Sequence, residues 1–361
     1  MRVVIFAGGA GRRLWPISRE SSPKQFEPIV GDESTVQMAV DRVAPTYGFD
    51  NITIATNERY VEIVRRQLPL VPPGNILIEP VRRDLGPAVG LAMAHLGRQG
   101  ADEPVAILWS DNYIENVPAF VDVLQTAEGL ITSKTADIVF IGETPRFANE
   151  NLGWIGLGEM VGRAGELPYY RFGSLTYRPL LEHCREIFAG GRHVWNTGFF
   201  VTTPAYVREQ YRRHSPQMEA QLAAIEATID TDAYEATLRR VYPEMKSISF
   251  DDAILTHVDA ERALVLHSEM GWSDPGTLYA LKEALNPDPE ANVTKGLVID
   301  AASKDSLLYN YEPGKLVVAV GLEGMIVVNT DDAILIVHKD NIPLVKRVIN
   351  DLQGTELESY S

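Results

Sequence analysis

The sequence predicts an α/β protein with a Rossmann-like mixed, mostly parallel sheet flanked by helices. Two observations lead to this fold: the apolar runs are short and bounded by turn residues, and they alternate with longer helix-like stretches, which is typical of a mostly parallel sheet covered on both faces. The predicted strands are Val3–Ala7, Asn51–Ala55, Asn75–Ile78, Val105–Trp109 and Ile138–Ile141. The helices predicted between and after them are Thr35–Val43, Glu58–Gln67, Gly86–Leu96 and Pro118–Ser133.

The second half of the chain has a different pattern. From about residue 150 to 275 the periodicity is irregular, with strand-like pieces at Trp154–Gly158, Tyr169–Leu175 and Gly198–Thr202 and a polar helical region over 204–238. After Asn286 two prolines occur within four residues, which stops a helix and favours a linker at this position. We therefore predict one domain over 1–285 and a smaller one over 286–361. The strands predicted in the smaller domain are Leu297–Ile299, Ser306–Tyr309, Lys315–Val320, Met325–Val328 and Ala333–His338, with a helix at Ile342–Leu352.

Charge and composition narrow the class of protein. The 361 residues carry 33 basic and 49 acidic side chains, a net charge of −16, which disfavours binding to nucleic acid or to an anionic membrane. Residues 12–24 nevertheless contain Arg12, Arg13, Arg19 and Lys24 against one glutamate, which is a focused positive site for a small anion. Cys184 is the only cysteine, and the start of the chain lacks a signal-peptide pattern, so we expect a cytoplasmic protein.

A glycine-rich segment follows the first predicted strand. Gly8, Gly9 and Gly11 allow the backbone to turn sharply and to direct successive N–H groups into one concavity, where phosphate oxygens can bind. The segment lacks the P-loop pattern, and Leu14 occupies the third glycine position of the dinucleotide fingerprint, which disfavours a dehydrogenase. The alternative interpretation, a strand-to-helix turn without a ligand, remains open on these residues alone.

Two aspartates are candidate magnesium ligands. Asp111 follows an apolar strand and Ser110, and Asp274 lies in a glycine-flanked turn. Magnesium commonly binds one or two carboxylates together with substrate phosphates. Taken singly, each aspartate is more often a turn or helix-cap residue, so the metal interpretation depends on whether the fold brings the two together. The adjacent Asp251 and Asp252 could provide acid–base chemistry, but a helix start with acidic first-turn residues is the favoured interpretation for Asp252.

Together these motifs resemble the mannose-1-phosphate guanylyltransferases, also called GDP-mannose pyrophosphorylases, within the sugar nucleotidyltransferases. The similarity extends over nearly the whole chain. The glycine segment is typical of sugar nucleotidyltransferases in general, whereas Trp-Pro, Pro-Lys-Gln-Phe and Gly-Trp-Ser-Asp resemble the guanylyl branch in particular. The matching residues are Gly8–Pro16, Pro23–Phe26, Glu79–Pro80 with Arg83, Ser110–Asp111, Gly153–Ile155, Trp195–Gly198, Ser249–Asp251 and Gly271–Asp274.

The resemblance implies a reaction in which mannose 1-phosphate attacks the α-phosphorus of GTP and pyrophosphate leaves, with Mg²⁺ as cofactor. It implies a nucleotidyltransferase domain over 1–285, a left-handed β-helix-like domain over 286–361 and a single activity. The small β-domain would suit a subunit contact, so we expect a homodimer. The implied catalytic residues are Arg13, Lys24, Asp111 and Asp274, the last two as metal ligands. The implied nucleotide-binding residues are Gly8, Gly9, Gly11, Arg12, Glu79, Asp84 and Gly86, and the implied sugar-phosphate-binding residues are Gly153, Arg178, Asn196 and Asp251.

Several positions depart from the family pattern. Arg12 replaces a usual threonine, Asp84 a usual asparagine, and Asn112 a usual histidine. Tyr177 replaces a usual glutamate before Arg178, so it provides no carboxylate for sugar hydroxyls. Two alternatives therefore stay open: a related enzyme that uses another sugar 1-phosphate or nucleoside triphosphate, and a regulatory relative that binds nucleotide sugars without turnover.

Overall fold

The structure, a computed structural model, describes residues 1–9, 14–19, 22–286 and 288–360. The chain forms two compact units. The first unit comprises Met1–Gly8, Ala39–Ser110 and Ile114–Trp272, and the second unit comprises Gly9–Met38, Asp111–Tyr113 and Ser273–Ser361. The segment after the glycines is thus grouped with the C-terminal residues. The domain boundary between 285 and 286 stays a prediction.

A nine-stranded mixed sheet forms the core of the first unit, and it confirms the predicted α/β class. The strand order is β3-β2-β1-β4-β9-β6-β10-β8-β7. The strands are β1 (Arg2–Phe6), β2 (Ile52–Asn57), β3 (Ile76–Glu79), β4 (Val105–Trp109), β6 (Ile138–Glu143), β7 (Gly153–Ala164), β8 (Leu167–Tyr177), β9 (His193–Thr202) and β10 (Ala263–Ser268). The two-residue strands β5 (Tyr113–Ile114) and β11 (Trp272–Ser273) lie outside this sheet.

The first four strands of this sheet are parallel, with β1 between β2 and β4. Val3, Val4 and Ile5 are fully buried, as expected for a strand covered on both faces. Because parallel strands end at the same edge, the residues that follow β1, β3 and β4 share the edge where ligands bind in such folds.

The other half of the sheet differs from the sequence prediction. The sequence predicts no strand over 263–268, yet β10 lies inside the sheet, parallel to β6 and antiparallel to β8. Its run of alanine, leucine and valine is as apolar as the predicted strands and is fully buried, so the irregular surroundings concealed it. The predicted helical region over 204–238 consists of three helices, because Pro216 begins the second and a turn precedes the third.

The helices of the chain have these bounds: α1 (Thr35–Tyr47), α2 (Val61–Gln67), α3 (Leu85–Gln99), α4 (Val117–Thr132), α5 (Leu181–Gly190), α6 (Pro204–His214), α7 (Pro216–Glu226), α8 (Tyr234–Val241), α9 (Phe250–Ala253), α10 (Leu278–Leu285) and α11 (Ile342–Asp351). Of the helices in the described part of the chain, none has both the length and the apolar character that crossing a membrane requires.

Short parallel strands dominate the second unit, in agreement with the β-helix-like domain implied by the resemblance. One sheet has the order β12-β14-β16-β17, with its last pair antiparallel, and a second pairs β13 with β15 in parallel. Their bounds are β12 (Val293–Lys295), β13 (Val298–Ala301), β14 (Leu307–Asn310), β15 (Val317–Val320), β16 (Met325–Asn329) and β17 (Ile334–His338). The core of this unit contains Leu14, Ile17 and Ile29 as well as residues of the strands and of α10.

Candidate active site

Lys24 and two aspartates meet in the second unit. The Lys24 Nζ atom lies 2.6 Å from Asp111 Oδ2 and 3.7 Å from Asp274 Oδ1. Lys24 begins a short 3₁₀ helix, Lys24–Phe26, and is only 7% exposed, whereas the two carboxylates are about one third exposed. The structure therefore brings together three of the four predicted catalytic side chains, and we call these three residues the lysine–aspartate cluster.

The cluster fits a divalent cation. Its two carboxylates are directed toward one positively charged atom, so their negative charges converge where a cation is stabilised. Across the described ranges of the chain, no group of three or more histidine, cysteine, aspartate or glutamate side chains is arranged as a metal site. Two carboxylates without a larger protein cage suit magnesium, which usually retains waters and binds substrate phosphates.

Gly8 and Gly9 follow β1 and precede Lys24 in the chain. A Cβ atom added to Gly8 would lie 3.9 Å from Glu79 Oε1, and one added to Gly9 would lie 4.0 Å from Gln25 Oε1, which are ordinary contact distances. The described residues thus leave room for a Cβ atom at both positions. The predicted site residues Gly11, Arg12 and Arg13 lie outside the described residues.

Glu79 ends β3 in the first unit and is 8% exposed. The Tyr242 hydroxyl donates a hydrogen bond of 2.6 Å to Glu79 Oε2. Burial raises the pKa of Glu79 to about 7, although the Tyr242 hydrogen bond and the charge of Arg82 act in the opposite direction. Because Glu79 Oε1 lies 3.9 Å from the position that a Cβ atom of Gly8 would occupy, a buried carboxyl group lies beside the start of the glycine segment.

Asp84 and Gly86 lie at the beginning of α3. Asp84 has a left-handed backbone with φ of 67°, and its side chain accepts the Leu85 N–H. The Gly86 N–H donates to the Ile248 carbonyl at 2.9 Å, and an added Cβ would lie 2.8 Å from that oxygen. Packing against residue 248 therefore explains this glycine without a ligand, while its predicted role in nucleotide binding stays a prediction.

Two of the four residues predicted to bind the sugar phosphate are neighbours in the sheet. Gly153 of β7 is in register with Asn196 of β9, and also with Tyr177 of β8. An added Cβ on Gly153 would approach Asn196 Cβ to 3.2 Å, so a larger residue there would crowd Asn196. Arg178 follows β8, and its guanidinium lies 5.0 Å above the Tyr177 ring.

Asp251 belongs to α9 rather than to this part of the sheet. Burial raises its pKa, and the nearby charges of Asp252 and Asp84 raise it further, while a backbone hydrogen bond lowers it. Asp251 is thus electrostatically coupled to the beginning of α3. The adjacent Asp252 accepts the Ser249 hydroxyl at 2.8 Å, and the Ser249 side chain caps α9, which agrees with the helix-start interpretation.

The family assignment follows from the sequence profile described as "Nucleotidyl transferase", which matches residues 2–290. The chain belongs to the nucleotidyl transferase family. A second profile, "MannoseP isomerase/GMP-like beta-helix domain", matches residues 296–352. The predicted resemblance to the mannose-1-phosphate guanylyltransferases and the expectation of an enzyme of this type are both confirmed.

Individual relatives agree with this assignment. This chain is 29% identical to mannose-1-phosphate guanylyltransferase RfbM of Salmonella typhimurium, and the match covers 99% of this chain and 73% of RfbM. It is 32% identical to alginate biosynthesis protein AlgA of Pseudomonas aeruginosa, over 97% of this chain and 72% of that protein. The crystal structure of mannose-1-phosphate geranyltransferase from Thermus thermophilus superposes with a TM-score of 0.85 at 28% identity, covering 98% of this chain and 99% of the other.

One buried carboxylate of this nucleotidyl transferase was missed in the sequence. Glu143 ends β6, is 2% exposed, and accepts the N–H groups of Met270, Gly271 and Trp272 at 3.0 to 3.2 Å. Burial raises its pKa, although the three backbone hydrogen bonds and Arg146 oppose that shift. Glu143 fixes the backbone just before Ser273 and Asp274. The sequence does contain a signal for this residue, because Glu143 is a carboxylate at the end of an apolar strand that is buried throughout.

Proposed function

We propose that the chain forms GDP-mannose and pyrophosphate from GTP and mannose 1-phosphate. The observation that carries the proposal is the lysine–aspartate cluster, in which a buried ammonium group and two carboxylates converge. Relatives of about 30% identity that are named for mannose-1-phosphate guanylyltransferase support this choice of substrates.

The proposed reaction is one in-line displacement at phosphorus. A phosphate oxygen of mannose 1-phosphate forms a bond to the α-phosphorus of GTP, and the bond from that phosphorus to the oxygen bridging to the β-phosphate breaks. The bonding electrons leave with pyrophosphate, so no covalent intermediate on the protein is required. The work of the protein is to position the phosphates and to balance their charge.

Lys24 and Arg13 would provide the mobile positive charge. Lys24 is buried and already balances carboxylates, so it can exchange one anionic partner for a phosphate oxygen when GTP binds. Asp111 and Asp274 would hold Mg²⁺. When bound, this ion neutralises charge on the phosphates and withdraws electron density from phosphorus. Because Asp111 and Asp274 also face Lys24, they would position the metal and the ammonium group beside the same phosphates.

The nucleotide would bind along the first predicted strand end. Gly8, Gly9 and Gly11 would pass their backbone close to the phosphates, and the space that the described residues leave at Gly8 and Gly9 supports such an approach. Arg12 would add charge for the β- and γ-phosphates. Glu79, Asp84 and Gly86 would line the base pocket, where the buried carboxyl group of Glu79 can accept hydrogen bonds from N–H groups of a purine.

The sugar phosphate would contact Gly153, Arg178, Asn196 and Asp251. The register of Gly153 with Asn196 supports a shared surface, and the exposed Arg178 can bind a phosphate. One observation favours a second candidate, a related enzyme with another sugar 1-phosphate. Tyr177 is 61% exposed beside Gly153, and it offers an aromatic ring where the family pattern has a carboxylate.

We also propose a cytoplasmic homodimer. The exposed aliphatic side chains of one face of β13 and β15 support a contact between two copies, because Ile299 and Val318 are paired and are each more than half exposed. Ile299→Lys/Val318→Lys should convert a dimer to a monomer in sedimentation equilibrium, with Lys315→Glu as a surface control. A wild-type chain that sediments as a monomer would refute the dimer.

A substrate matrix tests the function. Pyrophosphate release is measured for each of the four nucleoside triphosphates with mannose, glucose, galactose and fucose 1-phosphates, with Mg²⁺ and with EDTA. We expect the fastest release with GTP and mannose 1-phosphate, and loss of release with EDTA. A faster rate with another pair would establish the second candidate, and no release with any pair would leave a nucleotide-sugar-binding regulator.

A further inference from the structure

The segment after the glycines is built into the C-terminal part of the second unit. Leu14 is fully buried and Ile17 is 7% exposed, both in the core that contains Leu307 and Ile326 of the β-domain. The Trp15 indole N–H donates a hydrogen bond of 2.7 Å to the carbonyl of Tyr360, which follows α11 near the end of the chain. These contacts fix the chain just before Arg19.

Arg19 is held by a carboxylate of the β-domain. Its Nη1 and Nη2 atoms donate to Asp332 Oδ2 and Oδ1 at 2.7 and 2.5 Å, a bidentate pair, and the Thr330 hydroxyl donates to Asp332 Oδ1 at 3.2 Å. Burial raises the pKa of Asp332, but the Arg19 hydrogen bonds and charge outweigh it, so the pKa lies below its ordinary value. In the sequence Arg19 belongs to the positive segment predicted to bind a small anion, but in the structure its guanidinium is engaged by Asp332.

A second attachment follows Lys24. The Lys295 ammonium group donates to the carbonyl of Pro28 and, at 2.6 Å, to that of Gly31, and the Tyr311 hydroxyl donates to Pro28 at 3.2 Å. Lys24 thus lies between two points, Arg19 and Pro28, at which the chain is bonded to the β-domain. The attachment at Pro28 involves backbone carbonyls, whereas the one at Arg19 depends on two side chains.

We infer that Arg19 and Asp332 are positioning residues through which the β-domain places Lys24 for nucleotidyl transfer. The inference rests on the proposed role of Lys24. Two parallel N–H···O bonds restrict the guanidinium in distance and direction, which a single ammonium cannot do. A displacement of a charged group by about 1 Å can reduce a rate roughly 100-fold, so an anchor five residues away is close enough to matter.

The test compares Asp332→Asn with Asp331→Asn. Both remove one carboxylate from the same exposed turn, but only the first removes the partner of Arg19. With the substrates that the wild-type enzyme turns over, we expect Asp332→Asn to lower kcat about tenfold, with a KM for the nucleotide within about twofold of wild type. Asp332→Glu, which retains a carboxylate, should recover most of the rate, and Asp331→Asn should match wild type.

A second measurement is independent of turnover. Amide hydrogen exchange of peptides covering 14–19 and 22–30 should be faster in Asp332→Asn, and in Arg19→Lys, than in Asp331→Asn, while the melting temperatures of these three variants and of the wild type stay within about 3 °C of one another. Equal exchange and equal kcat in Asp332→Asn and Asp331→Asn would overturn the inference. A wild-type protein without turnover would refute the proposed function, and the exchange comparison would still decide whether this pair anchors the segment.

Discussion

Two carboxylate environments, one in each unit, balance negative charge in opposite ways. In the lysine–aspartate cluster, Asp111 and Asp274 face the ammonium group of Lys24 at 2.6 and 3.7 Å. Glu79 is paired with the neutral Tyr242 hydroxyl instead, and burial raises its pKa to about 7. The first environment is compensated by a full positive charge, and the second by partial protonation.

The difference indicates two kinds of ligand. A charge-compensated cluster can exchange its internal cation for a metal ion and offer Lys24 to an anion, which is what phosphate chemistry requires. A buried carboxyl group whose hydrogen-bond partner is a neutral hydroxyl gains most from neutral N–H donors that replace its proton, such as those of a base. Under the proposed function, charge compensation and base recognition would therefore depend on separate groups, and substitutions should affect them separately.

The largest effect is expected from removal of charge in the cluster. Asp111→Asn keeps the size of the side chain but removes a carboxylate, so kcat/KM for pyrophosphate release should fall roughly 1,000-fold. Asp102→Asn, an exposed aspartate before β4, is the control and should remain within about twofold of wild type. A loss of less than tenfold in Asp111→Asn would show that the Asp111 carboxylate does not take part in the reaction.

The next effect tests whether Lys24 occupies the place of a cation. Lys24→Met should lower kcat roughly 100-fold because a charge facing the phosphates is lost. In the absence of nucleotide it should also bind Mn²⁺ about tenfold more tightly, because the ammonium group no longer competes for Asp111 and Asp274. Electron paramagnetic resonance of free Mn²⁺ measures that affinity. Weaker Mn²⁺ binding than in wild type would show that Lys24 does not compete.

The Glu79 environment predicts a pH effect on stability. The pKa of Glu79 is raised from 4.5 to about 7 in the folded chain, so the folded state binds the proton more tightly, and its free energy of unfolding decreases as pH rises between these values. Glu79→Gln has no carboxyl proton to lose, so relative to wild type it should gain roughly 3 kcal/mol between pH 4 and pH 8. Urea unfolding at both pH values provides the measurement, and an equal pH dependence in the two proteins would contradict the assignment.

The smallest expected effect concerns the sugar. Tyr177→Glu places a carboxylate beside Gly153 and Asn196, where it can accept hydrogen bonds from sugar hydroxyls. We expect a KM for mannose 1-phosphate about fivefold lower, from roughly 1 kcal/mol of hydrogen bonding, and an unchanged KM for GTP. Leu180→Glu, at a nearby exposed residue, controls for the added charge. Equal changes in the two variants would indicate a general charge effect.

Apolar runs were sufficient to predict the parallel half of the fold. Val105–Trp109 forms a strand with the predicted bounds, because burial on both faces requires an uninterrupted apolar segment. The equally apolar Ala263–Ser268 was missed because no neighbouring periodicity separated it from irregular structure. Its place between β6 and β8 depends on pairing with strands more than 90 residues away, which a local pattern does not contain.

The charged residues of the site could be predicted where they belong to recognisable motifs. Their partners could not be predicted, because long-range contacts in the fold determine them. Lys24, Asp111 and Asp274 were proposed from local sequence, but their convergence is a property of the fold. Arg19 shows the limit most clearly: in sequence it belongs to a positive segment, whereas in the structure a carboxylate 313 positions away engages it. Its charge alone does not distinguish it from Lys24, although only Lys24 belongs to the Pro-Lys-Gln-Phe motif.

The central claim is that Asp111 and Asp274 act as one unit with a shared cation. A double-mutant cycle tests it directly, with kcat/KM measured for Asp111→Asn, Asp274→Asn and the combined variant under saturating Mg²⁺. Because either substitution alone destroys a two-carboxylate site, the combined variant should be no more than about threefold slower than the slower single variant. A combined loss equal to the product of the two single losses would show that the carboxylates act independently, and would contradict the account.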